Sequence, residues 1–299
     1  MESQAAVRSL TDTMAKFTAY IGKHLPTDVE AKLAELRAKE TKPLAKAIYL
    51  SMAENQDAAG KLDRPSCQDT GVIQYFITAG AKFPLLGELE DVLLNATLEA
   101  TRDSPLRHNA VETFVEKNTG TNTGTKAPWL DWEIVPKDDG VTIDVYMAGG
   151  GCTLPGSAKV LMPGEGYEGV AKFVFDVITA RGVNACPPLL VGVGVSTAVE
   201  TAARLSKKAL MRSVASHHSD PSAAKMETLL EEGLNELGIG PQGLTGSASV
   251  MGVNIESSAR HPSTIGVAVS TGCWSHRRGR IRINPDLSYE IVSHKGAVL

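Results

Sequence analysis

The sequence lacks an apolar run of the roughly 18 residues that a membrane-spanning helix needs. Its first residues also lack the basic and then apolar layout of a secretory signal. Neither sign of charge dominates, because 30 basic and 34 acidic side chains give a net charge of −4. Proteins that bind nucleic acid usually carry a basic surplus instead. These absences predict a soluble, cytoplasmic protein without a membrane or nucleic-acid partner.

What the sequence contains is typical of a folded globular protein. The hydrophobic fraction is 42% and the charged fraction is 21%, close to ordinary values. A chain of 299 residues is long enough to bury a substantial core. We predict one α/β structural domain, with a helical N-terminal region at 1–64 and a mixed-sheet region at 65–299.

Apolar residues recur at helical spacing in the N-terminal region. They predict a first helix that includes Val7 and Ile21, and Pro26 then breaks the chain. Thr27 begins a capping-box pattern that predicts a second helix, and a third is predicted from near Pro43. This region carries no residues that suggest chemistry.

Periodicity changes at residue 65, and both helices and strands are predicted beyond it. Helices are predicted at 88–102, 107–117, 167–179, 197–211 and 222–237. Strands are predicted at 71–80, 129–136, 141–148, 189–196, 247–257, 264–272, 280–285 and 287–293. The strands at 129–136 and 141–148 are predicted to pair across the polar turn KDDG.

The sequence has four cysteines but no C-x-x-C pair, which excludes zinc-finger and thioredoxin spacings. Three of them, Cys67, Cys186 and Cys273, stand where loops meet predicted strands. Each could be a buried small apolar side chain. The three together could also converge on one site, and iron–sulfur clusters are held by such thiolates.

A Gly-Val-Gly segment at 192–194 follows an apolar run and precedes a predicted helix. The third glycine of a dinucleotide-binding loop is missing, since Thr197 stands in its place. A tight turn from strand to helix is therefore the favoured interpretation.

Several polar segments invite two interpretations each. The run 118–125, NTGTNTGT, suits either a flexible hairpin loop or a backbone cradle for an anion. Residues 107–109, Arg-His-Asn, form a compact set of donors, and arginine binds carboxylates in a bidentate manner. The basic stretch at 276–282 suits a solvated strand face or a subunit contact.

A set of long segments resembles the α subunits of the two-subunit class I hydro-lyases, the family of iron–sulfur fumarases and tartrate dehydratases. The similarity covers nearly the whole chain. The segments that carry it are SCQDTG, PLRHNAVE, NTGTNTG, MAGGGCTLPG, VNACPPLLVGVG, GIGPQGLTG and ARHPSTIGVAVSTGCW. The resemblance implies the fold of the N-terminal, cluster-bearing half of single-chain class I fumarases, with the other half on a separate β subunit.

The same resemblance implies a [4Fe–4S] cluster and the residues of the site. The cluster ligands are expected to be Cys67, Cys186 and Cys273, which leaves one iron open to substrate. Cys152 is expected to pack beside the glycine turn at 149–151 instead. Asp69 is expected to be the catalytic acid/base group. The implied substrate-binding residues are Gln68, Arg107, Gly150 and His261.

The resemblance implies dehydration of L(+)-tartrate to oxaloacetate and water in an α2β2 heterotetramer. The α subunit of a two-subunit fumarase, which hydrates fumarate to malate, is the near alternative. An electron-transfer iron–sulfur protein with Cys152 as the fourth ligand, and a structural zinc or scaffold module, are alternatives of other classes.

Overall fold

The computed structural model describes residues 2–299, and side chains from residue 4 onward. Met1, at which the predicted helical region begins, lies outside the described residues. The helices run over Glu2–Lys23 (α1), Thr27–Lys39 (α2), Pro43–Leu62 (α3), Leu89–Asp103 (α4), Gly150–Thr153 (α5), Gly166–Arg181 (α6), Val199–Met211 (α7) and Pro221–Glu236 (α8).

The strands are interspersed with these helices along the chain. They run over Val72–Gly80 (β1), Val111–Glu112 (β2), Lys117–Asn118 (β3), Trp129–Val135 (β4), Val141–Ala148 (β5), Ser157–Leu161 (β6), Leu189–Ser196 (β7), Val250–Ser257 (β8), Ile265–Gly272 (β9), Arg278–Ile283 (β10) and Tyr289–Ile291 (β11). The predicted mixed α/β fold with N-terminal helices is confirmed.

The chain forms two compact units whose segments alternate along the sequence. Unit 1 comprises the residues up to Thr27, then Asn55–Gly149 and Arg277–Leu299. Unit 2 comprises Asp28–Glu54 and Gly150–His276. The boundary predicted between residues 64 and 65 stays a prediction.

Unit 1 is built on a five-stranded sheet with the order β11-β10-β5-β1-β4. Alternate residues of its central strands are buried with the apolar faces of α1 and α4, because side chains in a strand point to opposite faces in turn. Tyr75 of β1 lies within this core, and its hydroxyl is within hydrogen-bond distance of Thr18 in α1 and Thr97 in α4. The three hydroxyls therefore join both helices to the sheet.

Two sequence predictions in unit 1 are wrong. The strands β4 and β5 do not pair with each other, because β1 lies between them, parallel to β4 and antiparallel to β5. The region 107–117 is not a helix, and instead contains β2 and part of β3, which form a two-stranded hairpin. Helix formation is interrupted there because Phe114 and Glu116 adopt left-handed backbone angles.

Unit 2 is built on a four-stranded sheet with the order β6-β9-β7-β8. The strand β7 is parallel to β8 and antiparallel to β9. Helices α6 and α8 supply apolar side chains to the core on one face of this sheet. The segment Asp28–Glu54 also joins this unit, because Glu40 accepts hydrogen bonds from the backbone and hydroxyl of Ser247.

The glycines of the 192–194 segment lie inside β7 rather than in a turn after it. A Cβ at Gly194 would lie 1.9 Å from the carbonyl oxygen of Ala202 in α7, and one at Gly192 would lie 2.2 Å from that of Ser206. Helix α7 begins only at Val199. The predicted strand-to-helix turn is therefore wrong, and the glycines serve close packing of α7 on the sheet.

Candidate functional site

In unit 1, one loop between α3 and β1 carries the first predicted ligand and its polar neighbours. Cys67 is partly exposed, Gln68 is exposed, and Thr70 is buried. The Cys67 Sγ lies 3.7 Å from the Gln68 side-chain oxygen. The sequence prediction that Cys67 stands just before a strand is confirmed, since β1 begins at Val72.

The carboxylate of Asp69 is held in a fixed orientation. Its Oδ1 accepts hydrogen bonds from the backbone N–H of Gly71 at 3.0 Å and from the side-chain amide of Asn109 at 2.8 Å. A Cβ at Gly149 would lie 2.7 Å from Asp69 Oδ2. Glycine at 149 therefore leaves the space that this oxygen occupies.

The segment that contains Arg107 is anchored through its backbone. The Arg107 N–H donates to the buried hydroxyl of Thr70 at 2.8 Å, and the Arg107 carbonyl accepts from the Asn122 side chain at 3.0 Å. Asn122 also accepts a hydrogen bond from the Asn109 N–H at 2.7 Å. The Arg107 side chain itself is exposed, so its backbone is fixed while its guanidinium is accessible.

The run 118–125 therefore has a structural role that neither interpretation of the sequence included. Its asparagine side chains bind the backbone of the Arg107 segment, since Asn118 also donates to the carbonyl of His108 at 2.9 Å. The run of small polar residues marked the loop as unusual. The sequence alone could not show which backbone groups Asn118 and Asn122 would bind.

In unit 2, the loops of the other two predicted ligands are brought together. Cys186 precedes β7 and Cys273 follows β9, and these strand ends are adjacent because Leu190 pairs with Gly272. The carbonyl of Cys186 accepts a hydrogen bond from the Trp274 N–H at 3.1 Å. Cys186 is exposed, whereas Cys273 is buried.

The fourth cysteine lies in the short helix α5 and is buried. Its carbonyl accepts a hydrogen bond from the Thr271 hydroxyl at 2.6 Å. Lys207 of α7 is a titratable side chain that interacts with Cys152, and it was not predicted from the sequence. Burial lowers the pKa of the Lys207 ammonium, and an electrostatic interaction with Cys152 opposes that shift.

His261 lies at the opposite end of the strands of the same sheet. Its N–H donates to the hydroxyl of Thr197, which follows the end of β7. With a rise of about 3.3 Å per residue, the length of β9 places this end of the strands roughly 23 Å from the end at which Cys273 lies. The His261 Nδ1 accepts from the Ser263 N–H at 3.2 Å, so in the neutral ring Nε2 carries the proton and can donate it.

The donor chemistry of the cysteines is compatible with metal binding. None of the four cysteines forms a disulfide bond, and two of the three predicted ligands lie on adjacent loops of unit 2. Among residues 2–299, no group of three or more His, Cys, Asp or Glu side chains has the spacing of a metal site.

No described helix is both long and apolar enough to cross a membrane.

The sequence is similar to tartrate dehydratase α-subunit sequences over almost its full length. A family model described as "Fumarate hydratase (Fumerase)" matches residues 11–282. The chain is 60% identical to "L(+)-tartrate dehydratase subunit alpha" of Escherichia coli K12, with 99% of this chain and 98% of the relative aligned. The Shigella sonnei protein of the same name gives the same identity and coverage. A "Putative L(+)-tartrate dehydratase subunit alpha" of Methanocaldococcus jannaschii is 32% identical, with 93% and 98% aligned.

Proposed function

The chain belongs to the fumarate hydratase family, and from this premise we propose that it is the catalytic α subunit of an L(+)-tartrate dehydratase. The reaction would convert L(+)-tartrate to oxaloacetate and water. The observation that carries the proposal is the 60% identity to tartrate dehydratase α subunits over 99% of the chain. A cytoplasmic location suits four cysteines that form no disulfide bond.

The proposed cofactor is a [4Fe–4S] cluster held by Cys67, Cys186 and Cys273. Iron–sulfur clusters take cysteine thiolates as ligands, and the adjacent Cys186 and Cys273 loops support this assignment. With three protein ligands, the cluster supplies one open iron as a Lewis acid for the substrate hydroxyl.

The polar residues near Cys67 would supply the remaining chemistry. Dehydration removes a hydroxyl from one carbon and a weakly acidic proton from its neighbour, and the enol formed then becomes oxaloacetate. Asp69, whose carboxylate is already oriented by Gly71 and Asn109, would move that proton. The accessible guanidinium of Arg107 would bind a substrate carboxylate. Gln68 and the backbone N–H of Gly150 would supply further donors.

A β subunit would complete the site, and the proposed assembly is α2β2. The word "subunit" in the names of the relatives supports a partner. The position of His261 supports a second copy of this chain. His261 lies at one end of the strands of the unit 2 sheet, and Cys186 and Cys273 lie at the other end. We propose that His261 donates from Nε2 to substrate bound at the cysteines of the other copy.

A coupled assay of the purified αβ complex tests the proposed substrate. Added malate dehydrogenase would consume NADH as oxaloacetate forms from L(+)-tartrate. The family description also names fumarate hydratase, so malate and fumarate are assayed on the same preparation. A cluster-loaded complex that interconverts malate and fumarate but leaves tartrate unchanged would contradict the proposal.

Arg107→Lys should weaken substrate binding. Lysine keeps the charge but lacks the planar pair of donors that binds a carboxylate in a bidentate manner. We expect KM for tartrate to rise at least about tenfold, or about 1.4 kcal/mol. Steady-state kinetics and the cluster absorbance on the same preparation check this result. A normal KM and kcat would give Arg107 a structural role.

A mixed complex should recover activity if His261 serves the other copy. In a two-fold symmetric pair of one Asp69→Asn chain and one His261→Ala chain, one of two sites keeps both residues, so we expect about half of wild-type activity. Two different affinity tags on co-expressed chains would isolate this hybrid.

The matched control pairs a wild-type chain with a chain that carries both Asp69→Asn and Cys186→Ser, two changes expected in the same copy's half of the site. That hybrid leaves one site with both residues as well, so it reports the loss caused by mixing alone. Each homogeneous variant must also be measured, because its residual activity sets the background. An Asp69→Asn/His261→Ala hybrid no more active than its homogeneous parents would show that His261 acts within its own copy or not at all.

A further inference from the structure

Arg277 is buried although it belongs to a basic stretch that the sequence suggested would face solvent or a subunit. Its exposed fraction is 1%, and it heads the fully buried side chains when these are ordered by volume. It stands immediately before β10 in unit 1. Its carbonyl accepts a hydrogen bond from the Met147 N–H in β5 at 3.0 Å, so the backbone at this position is part of the sheet.

The guanidinium of Arg277 reaches the loop that contains Asp69, but only some of its N–H groups form hydrogen bonds. Its Nη2 donates to the backbone carbonyl of Asp69 at 2.6 Å. Its Nε and Nη1 are buried and have no hydrogen-bond partner among residues 2–299. Within the same part of the chain, no carboxylate forms an ion pair with it.

Two arginines of the adjoining strand show what a complete pairing looks like in this unit. Arg280 donates from Nε and Nη2 to the two carboxylate oxygens of Asp144, at 2.7 and 2.8 Å. Arg282 forms the corresponding pair with Asp138, at 2.7 and 2.6 Å. Both of these arginines are less buried than Arg277. The most buried of the three therefore lacks the partner that each of the others has.

A buried guanidinium without an anion is costly, because arginine stays protonated and its charge loses the solvation of water. A donor that only supported the Asp69 carbonyl would need a single N–H and no charge. Two further nitrogens of the guanidinium, Nε and Nη1, are buried beside the loop of Asp69. We therefore expect a second group to accept hydrogen bonds from them.

We propose that Arg277 binds an anionic group of the working enzyme beside the Asp69 loop. This inference rests on the proposed function for the identity of that anion, which is a substrate carboxylate or the sulfur of the cluster. In either case Arg277 touches the bound anion directly and ties it to the backbone of Asp69.

The test compares Arg277→Gln, Arg277→Lys and Arg280→Gln in the cluster-loaded αβ complex. Glutamine keeps one amide donor for the Asp69 carbonyl but removes the charge, and Arg280→Gln is the matched control because Arg280 already has Asp144. The measurements are the melting temperature, the dissociation constant of succinate and the reduction potential of the cluster. Succinate binding requires no turnover, so a failure of tartrate dehydration would leave this test intact.

If the anion is a substrate carboxylate, Arg277→Gln should weaken succinate at least about tenfold, with the cluster potential unchanged and partial recovery in Arg277→Lys. If the anion is the cluster, the potential should shift while succinate binding is retained. The Arg280→Gln control should change neither quantity. A folded Arg277→Gln complex with normal succinate binding and normal potential would overturn the proposal.

Because the site is buried, a substitution there can impair folding, so the wild-type complex supplies a second measurement. Its crystal structure with cluster and succinate should show a carboxylate oxygen or a sulfur within hydrogen-bond distance of Arg277 Nε or Nη1. Water or protein atoms alone at both nitrogens would overturn the proposal without any variant.

Discussion

Replacing Cys67, Cys186 or Cys273 by serine is expected to abolish both the cluster absorbance and the dehydratase activity of the αβ complex. Each thiolate would hold one iron, and an alcohol is a far poorer ligand for iron–sulfur clusters than a thiolate. Anaerobic purification followed by iron analysis, visible absorbance and the tartrate assay on one preparation checks this result. The melting temperature must be recorded too, because Cys273 is buried and its replacement could disturb packing.

Cys152→Ser is the matched control for these three variants. Like Cys273, Cys152 is buried and lies in unit 2, but it is expected to pack beside the glycine turn rather than bind iron. The variant should keep the cluster largely intact. Loss of all iron from Cys152→Ser would contradict the open iron and would favour a cluster with four cysteine ligands, as in an electron-transfer protein.

The elements of the fold were largely predictable because apolar periodicity is a local signal. Helices such as α1 and α8 and strands such as β5 and β7 fall close to their predicted ranges. Sheet order was not predictable in the same way. Nothing between 129 and 148 shows that β1 inserts between β4 and β5, because that pairing depends on residues more than fifty positions away.

The candidate site was predictable as a list of residues but not as an arrangement. Motif resemblance selected Asp69 and Arg107, and the structure adds that Asn122 and Thr70 fix the Arg107 backbone. The basic stretch at 276–282 was visible in the sequence. Its division into paired arginines and the buried Arg277 depends on which side of the sheet each residue faces, which requires the register of β10.

Asp69→Asn is expected to lower kcat by roughly 10²–10⁴-fold, because a positioned acid/base group contributes about that much. The substitution keeps the shape of the side chain and removes its ability to take a proton. The KM for tartrate should change little, and the cluster absorbance should be retained because the ligand Cys67 is unchanged. The measurements are kcat, KM and iron content of one anaerobic preparation of the αβ complex.

The hydrogen bonds of Asp69 allow a structural explanation that this variant can exclude. Oδ1 already accepts from the Gly71 N–H and from Asn109, and an asparagine carbonyl could accept both bonds nearly as well. If Asp69 only shaped its loop, kcat would therefore fall by less than about threefold, well below the acid/base range. Asn109→Ala separates the two roles further, since it removes one support of the carboxylate and leaves the proton acceptor. We expect it to lower kcat less than Asp69→Asn does, and an active, cluster-loaded Asp69→Asn complex would remove Asp69 from the catalytic residues.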